Sequence, residues 1–209
     1  ILRNFITHDA QNMSRYYKAT GCLLKPVMLE ESFKMKLGED KGILKGIADR
    51  VDLETDSKGG YTGRFIIYDY KKGGIKGIKE CIEGKDFQLP LYSRAFNAVL
   101  KERFRIENPQ CLAILYYSIE KLEWNGIIRK DIKKALFEGR KGTRSTPDWA
   151  NMEVVLSWAE DEAVKVIDNI RKGCFMVPKN CPASSVFGCL YSGMCRYDRT
   201  RLARKEGVQ

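Results

Sequence analysis

Residues 66–73 read IIYDYKKG, and residues 46–52 read GIADRVD. Each is an apolar, β-prone run broken by charge, the first by Asp69 and Lys71 and the second by Asp49. Between them lies TDSKGGYTG, residues 55–63, whose polar and glycine-rich composition is that of a turn. The pattern predicts a β-hairpin with strands over 42–54 and 64–71, turning at Gly59-Gly60. Residues of such a hairpin face each other when their numbers sum to about 118 or 119, so Asp49 is expected opposite Asp69 or within one residue of it. Side chains alternate along a strand, so Ile43, Ile47, Asp49, Val51 and Leu53 are expected on one face. Phe65, Ile67, Asp69 and Lys71 are expected to share the face of the second strand.

Carboxylates brought together on an apolar face repel and are poorly solvated. A divalent cation removes the conflict. Hard oxygen ligands with open coordination positions suit Mg²⁺ or Mn²⁺, which keep waters and accept phosphate oxygens. Lys71 on the same face could then polarise an attacking water and offset charge developing on a phosphate. The competing reading is a plain salt bridge between Lys71 and Asp69 or Asp49 at the strand ends.

Outward from the hairpin, residues 26–37 (PVMLEESFKMKL) read as a further strand. Residues 86–104 place Leu91, Tyr92, Ala95, Phe96 and Val99 at helical spacing, and CLAILYYSI at 111–119 is strongly β-prone. A second amphipathic helix is expected over 149–172, with Met152, Val155, Leu156, Ala159, Ala163, Val166 and Ile170 on one face and Gly173 to end it. Strands followed by helices, with one hairpin, indicate an α/β fold in which a mixed central sheet is flanked by helices. Residues 1–173 are read as one domain, and residues 174–209 as an irregular Cys- and Arg-rich extension packed on it.

The chain has 209 residues, 44% hydrophobic and 31% charged, an ordinary composition for a globular domain with a real core. No apolar run is long enough to span a bilayer, and the first residues lack the layout of a signal peptide, so an intracellular protein with no membrane partner is expected. The first residue is not Met, which suggests a fragment truncated at its N-terminus. A formal charge of +10 points to a polyanionic partner, most simply nucleic acid, with a basic solubilising surface as the alternative. Of seven cysteines, Cys174, Cys181, Cys189 and Cys195 fall in the last 36 residues, which fits a thiolate metal site or reduced thiols better than secreted disulfides.

The motifs carry a resemblance. GIADRVD followed by IIYDYKKG resembles the second and third motifs of PD-(D/E)XK nucleases, in particular the RecB/AddB exonuclease branch, and QLPLY at 88–92 resembles the Gln-x-x-x-Tyr motif that follows them. ILYYSI at 114–119 is similar to the next strand of that branch, and RKGCFMVP at 171–178 to its final helix exit, so the likeness runs from about Pro26 onward. The resemblance implies a restriction-endonuclease-like core and a Mg²⁺- or Mn²⁺-dependent exodeoxyribonuclease. Asp49 and Asp69 would be metal ligands, Lys71 the catalytic lysine, and Gln88 and Tyr92 substrate-binding residues near the scissile strand. The alternative for that last pair is a helix-capping Gln and a core Tyr. Asp52, by parity, is expected on the opposite face, paired with a basic residue. A prokaryote-like cytoplasmic enzyme of double-strand-break repair and recombination is implied, with DNA as substrate and a helicase subunit or fused helicase domain as partner.

Several features depart from that pattern. The family carries a motif His on a helix well upstream of the first strand; the only His here is His8, close to that strand, and it is expected to be a surface residue rather than a ligand. Glu30 and Glu31 are the other acids near a metal, of which alternation allows one to face inward. AddB-like nucleases often close a 4Fe-4S cluster with a late Cys group. CLYSGMC at 189–195 matches part of it, which implies Cys181, Cys189 and Cys195 with Cys174 or Cys22, against free thiols as the alternative. A CRISPR-associated adaptation nuclease, a nuclease-fold module that binds DNA without cutting and a zinc-ribbon binding protein are the other readings; the last fits the irregular Cys spacing poorly.

Overall fold

The computed structural model describes residues 1–39, 41–75, 87–137 and 152–174. Their elements are α1 (Leu2–Thr20), β1 (Leu23–Leu37), β2 (Gly42–Thr55), β3 (Tyr61–Lys71), α2 (Gln88–Phe104), β4 (Gln110–Ser118), β5 (Glu123–Ile128), α3 (Lys133–Phe137) and α4 (Met152–Arg171). The strands form one sheet in chain order, antiparallel except for β3 and β4, which run parallel. Parallel neighbours need a crossover, and α2 lies in the connection between them. This is the mixed sheet with flanking helices that the element order predicts. The chain divides into two compact units, residues 1–168 and 169–209. In the second, the described part is the end of α4, where the Gly173 and Cys174 N–H groups return to the Ile170 and Asn169 carbonyls.

Central strands are covered on both faces, which explains the nearly continuous apolar runs of β3 and β4. On one face Val51, Leu53, Phe65, Ile67 and Ile114 pack with Leu89, Phe96 and Leu100 of α2 and Val155 and Leu156 of α4. On the other, Ile66, Tyr68, Leu115 and Tyr117 pack with Tyr16 of α1 and Ile132 and Leu136 of the α3 region. Among the described residues no helix is long and apolar enough to cross a membrane.

The hairpin register matches the sequence expectation where it matters. Arg50 pairs Tyr68, Val51 pairs Ile67 and Leu53 pairs Phe65, all on a sum of 118. Strict alternation along β2 does not hold. Val51 and Leu53 are fully buried against α2, whereas Ile43 is 64% and Ile47 56% exposed. Ala48 and Gly46 take the inward positions instead, so the inward set changes parity between Ala48 and Val51. The partner strand shows the same slip: Met28 and Phe33 both face the α2 core, and Glu30 between them has φ +48°. A left-handed residue inside a strand is a local irregularity, and because the β1–β2 register is the same on both sides of it, the two strands change parity there together. Asp49 sits at this switch.

Helix α1 has no counterpart in the sequence reading. Its inward stripe is Phe5, His8, Asn12 and Tyr16, half of it polar, so an apolar periodicity does not show. His8 is a correction: it is 5% exposed rather than a surface residue. Its Nδ1 lies 2.6 Å from the Tyr117 hydroxyl and 3.2 Å from the Asn12 amide, and its ring meets Trp124 edge-on. Strand β5 was hidden by Asn125-Gly126, a pair that reads as a turn. Gly126 is in the strand because a Cβ there would lie 2.0 Å from the Ile114 carbonyl oxygen.

Candidate active site

The site lies where β2, β3 and the start of α2 meet. Asp69 points to the α2 face and is 4% exposed. Such a carboxylate must be compensated. Lys71, two residues on and on the same face, brings Nζ within 2.5 Å of Asp69 Oδ2. Gln88, the first residue of α2, donates from Nε2 to Asp69 Oδ1 at 2.7 Å. The same nitrogen lies 3.1 Å from the Tyr92 hydroxyl one helical turn later. Gln88 therefore does not cap its helix, and Tyr92 is half-buried rather than a closed core residue.

Asp49 reaches the same place from β2. Its Oδ2 accepts the Tyr70 backbone N–H at 2.6 Å. Standard peptide geometry puts that nitrogen about 2.4 Å from the Asp69 Cα, so an Asp49 oxygen lies within about 5 Å of the Asp69 backbone. Asp49, Asp69, Lys71, Gln88 and Tyr92, singled out in the sequence, thus converge on one corner of the sheet. Tyr116, which the sequence reading did not single out, completes it: it pairs with Asp69 across β3 and β4, and its ring centroid lies 5.2 Å from Lys71 Nζ.

Other candidates lie elsewhere. His8 packs with Tyr117 and Trp124 against the α1 face, opposite to the face of Asp69. Glu31 forms a bidentate pair with Arg103 of α2, at 2.8 and 2.9 Å, and the guanidinium holds its carboxyl below the ordinary value. Glu30 is exposed. Cys22 is half-buried and Cys174 exposed, both free thiols, while Cys181, Cys189 and Cys195 lie outside the described residues.

On the reverse side of the same strands, Asp52 pairs with a basic residue as its parity implied. Arg50 Nε and Nη2 donate to the two Asp52 oxygens, each at 2.6 Å, and Nη1 donates to Asp9 of α1 at 2.6 Å and to the Tyr70 hydroxyl at 3.1 Å. The guanidinium also lies 4.8 Å from the Tyr68 ring centroid. Burial pushes the Asp52 carboxyl above its ordinary value, and Arg50 opposes that push. Arg50 and Tyr70 each neighbour a site residue, so this buried network clamps the two site strands and α1 from behind.

Gly46 has an equally local reason. A Cβ there would lie 2.7 Å from the Phe33 ring and 3.1 Å from that of Tyr92. Phe33 is 4% exposed and packs edge-on against both Tyr92 and Phe96, so it has little room to retreat. Gly46→Ala is expected to lower the unfolding free energy by about 1–3 kcal/mol, measurable by urea denaturation. An unchanged midpoint would show that Phe33 moves freely.

The donor set suits a small divalent ion. Mg²⁺ is ordinarily held by one or two carboxylates, with waters and substrate oxygens filling the remaining positions, and Asp49 and Asp69 supply such a pair. Among the described residues there is no cluster of three or more His, Cys, Asp or Glu, so a closed structural metal centre is not formed by them.

A comparison with curated proteins finds no match. The sequence profile of the PD-(D/E)XK nuclease superfamily matches residues 6–196, nearly the whole chain and all of the elements that build the site. Nucleases of this superfamily are hydrolases that typically use divalent metal ions, and their substrate is DNA. With the mixed sheet, the acid-bearing hairpin and the Asp-x-Lys strand all in place, the chain belongs to the PD-(D/E)XK nuclease superfamily.

Proposed function

We propose that this chain is a Mg²⁺- or Mn²⁺-dependent exodeoxyribonuclease in which Asp49 and Asp69 hold the ion and Lys71 is the catalytic lysine. The observation that carries the reading is the linked set Lys71–Asp69–Gln88–Tyr92, with Asp49 anchored on the adjoining peptide. The ion, when bound, supplies Lewis-acid stabilisation of charge on the phosphate. Asp69 and the Tyr116 ring together hold the Lys71 ammonium on the substrate side of the sheet. From there Lys71 donates to the attacking water or to a non-bridging phosphate oxygen and offsets the negative charge of the transition state. Gln88 fixes the Asp69 rotamer, and Tyr92 fixes Gln88; both also present polar groups to a DNA strand beside the reacting phosphate.

The finer assignment is to a RecB/AddB-like nuclease module acting with a helicase in double-strand-break repair and recombination, in a prokaryotic cytoplasm. Its support is the Gln-x-x-x-Tyr pair, which the fold carries to Asp69. In this reading residues 1–173 are the nuclease domain and 174–209 its extension, with Cys181, Cys189 and Cys195 as 4Fe-4S ligands; the absorbance of anaerobically purified protein tests the cluster. The rival module that binds DNA without cutting draws on one observation, that His8 faces away from the acids. A direct assay separates the two. End-labelled single- and double-stranded DNA should be degraded from its ends with Mg²⁺ or Mn²⁺ and not with EDTA. Binding without cleavage in either metal would favour the inactive module.

A further inference from the structure

The parity switch at Glu30 and Asp49 leaves one face of the outer β1–β2 ribbon without a covering element among the described residues. Its side chains are Ser32, Lys34 and Lys36 from β1 and Ile43, Lys45 and Ile47 from β2, all exposed. Lys34 and Lys45 are direct cross-strand partners. Facing residues of an antiparallel pair project to the same side with Cβ atoms about 5 Å apart, and like charges there are destabilising. Among the described residues neither lysine has an acidic partner, while the neighbouring Lys41 does, in Asp168 at 2.8 Å.

Edge protection accounts for only part of this. A lysine on an edge strand discourages pairing with another chain, and β1 is such an edge. Lys45 lies in the part of β2 beyond its pairing with β3, which runs over Arg50 to Thr55, so it too is at an edge, but protecting the two edges does not require the lysines to face each other. Ile43 and Ile47, at 64% and 56% exposure, flank Lys45 and line the same strip. A depression of about 550 Å³ runs across the ribbon here, formed by Ser32, Phe33, Lys34, Lys45, Gly46 and Ile47.

We propose that this lysine-pair face grips the phosphodiester backbone of DNA a few nucleotides from the reacting bond. The proposal rests on the nuclease reading and extends it to a second contact surface. A polyanion turns the Lys34–Lys45 repulsion into shared attraction, and the two isoleucines offer apolar area to sugars or bases. The ribbon also adjoins the site: the residues next to the lysine pair, Phe33 and Gly46, press on Tyr92 from the other side of the strands. From Lys45 to Asp49 is four residues of strand, about 13 Å, the length of roughly four base-pair steps.

The test measures binding and cleavage separately. In EDTA, fluorescence anisotropy with single- and double-stranded oligonucleotides of about 20 nucleotides reports affinity without cleavage. Lys34→Gln/Lys45→Gln is expected to weaken binding by about tenfold at 0.1 M salt and to reduce the slope of log K against log salt by about 2. The control Lys18→Gln/Lys58→Gln, exposed lysines of α1 and the hairpin turn, should leave both nearly unchanged. The ribbon variant should melt at or above the wild-type temperature, because a like-charge pair has been removed. With metal, it should lose activity on the long substrates and keep it on a trinucleotide too short to reach the ribbon. Equal losses in the two double variants, or an unchanged salt slope, overturn the proposal. Absence of all cleavage by the wild type would instead remove the nuclease reading, and the binding result would still decide whether the ribbon holds DNA.

Discussion

Asp69→Asn is expected to lower metal-dependent DNA cleavage by at least about 10³-fold while leaving the protein folded. The substitution keeps the shape of the side chain and an oxygen for the Gln88 amide, now 2.7 Å from Asp69 Oδ1, but removes the charge. Two consequences separate its chemical role from its packing. The Lys71 ammonium, now 2.5 Å from Oδ2, loses the group that aims it, and the proposed ion site loses its more buried carboxylate. Stability should change little, because a buried charge is removed along with its attraction to Lys71. Lys71→Met should reduce cleavage by a comparable 10²–10³-fold, roughly, but should also destabilise the fold, since it strands a carboxylate that is 4% exposed. Rates from single-turnover cleavage and midpoints from urea unfolding check both. Full activity in either variant would refute the assignment.

The largest effect on stability is expected at Arg50. Arg50→Met leaves Asp52 fully buried and Asp9 largely buried without their guanidinium, and removing one partner of a buried ion pair typically costs about 3–5 kcal/mol. The variant's pH dependence carries a sign. Burial already raises the Asp52 carboxyl above its ordinary value, and loss of the opposing Arg50 charge raises it further. A carboxyl with a higher pKa in the folded state binds protons that the unfolded state releases, so stability should increase as pH falls from neutrality toward the ordinary carboxylate range. Urea unfolding at several pH values measures this. A variant whose stability only falls on acidification would show that Asp52 finds another partner. Because Arg50 also bonds the Tyr70 hydroxyl, cleavage should fall with stability, through displacement of the two site strands rather than through lost chemistry.

What was legible in the sequence is what alternation and turn chemistry control locally. The glycine-rich turn set the hairpin register, and the register brought Asp49 beside Asp69. The i, i+4 spacing of Gln88 and Tyr92 placed them on one face, although nothing local could show that Gln88 closes on Asp69. The errors share a cause. Face assignments beyond Asp49 assumed unbroken alternation, and a left-handed Glu30 with no glycine or proline to announce it changed the parity of both strands. Helix α1 and His8 were missed because a polar inward stripe looks like a surface, and its logic is tertiary: Asp9 meets Arg50, and His8 meets Tyr117 across 109 positions. The corrections follow from contacts that a single strand or helix does not contain.

The central claim is that Asp49 and Asp69 share one divalent ion at the corner of the sheet. Titration of Mn²⁺ into the protein, followed by electron paramagnetic resonance or calorimetry without DNA, tests it independently of turnover. Saturable binding is expected in the wild type and in Lys34→Gln/Lys45→Gln, with at least about tenfold weaker binding in Asp49→Asn and in Asp69→Asn. Mn²⁺ affinity untouched by either acid substitution would contradict the account.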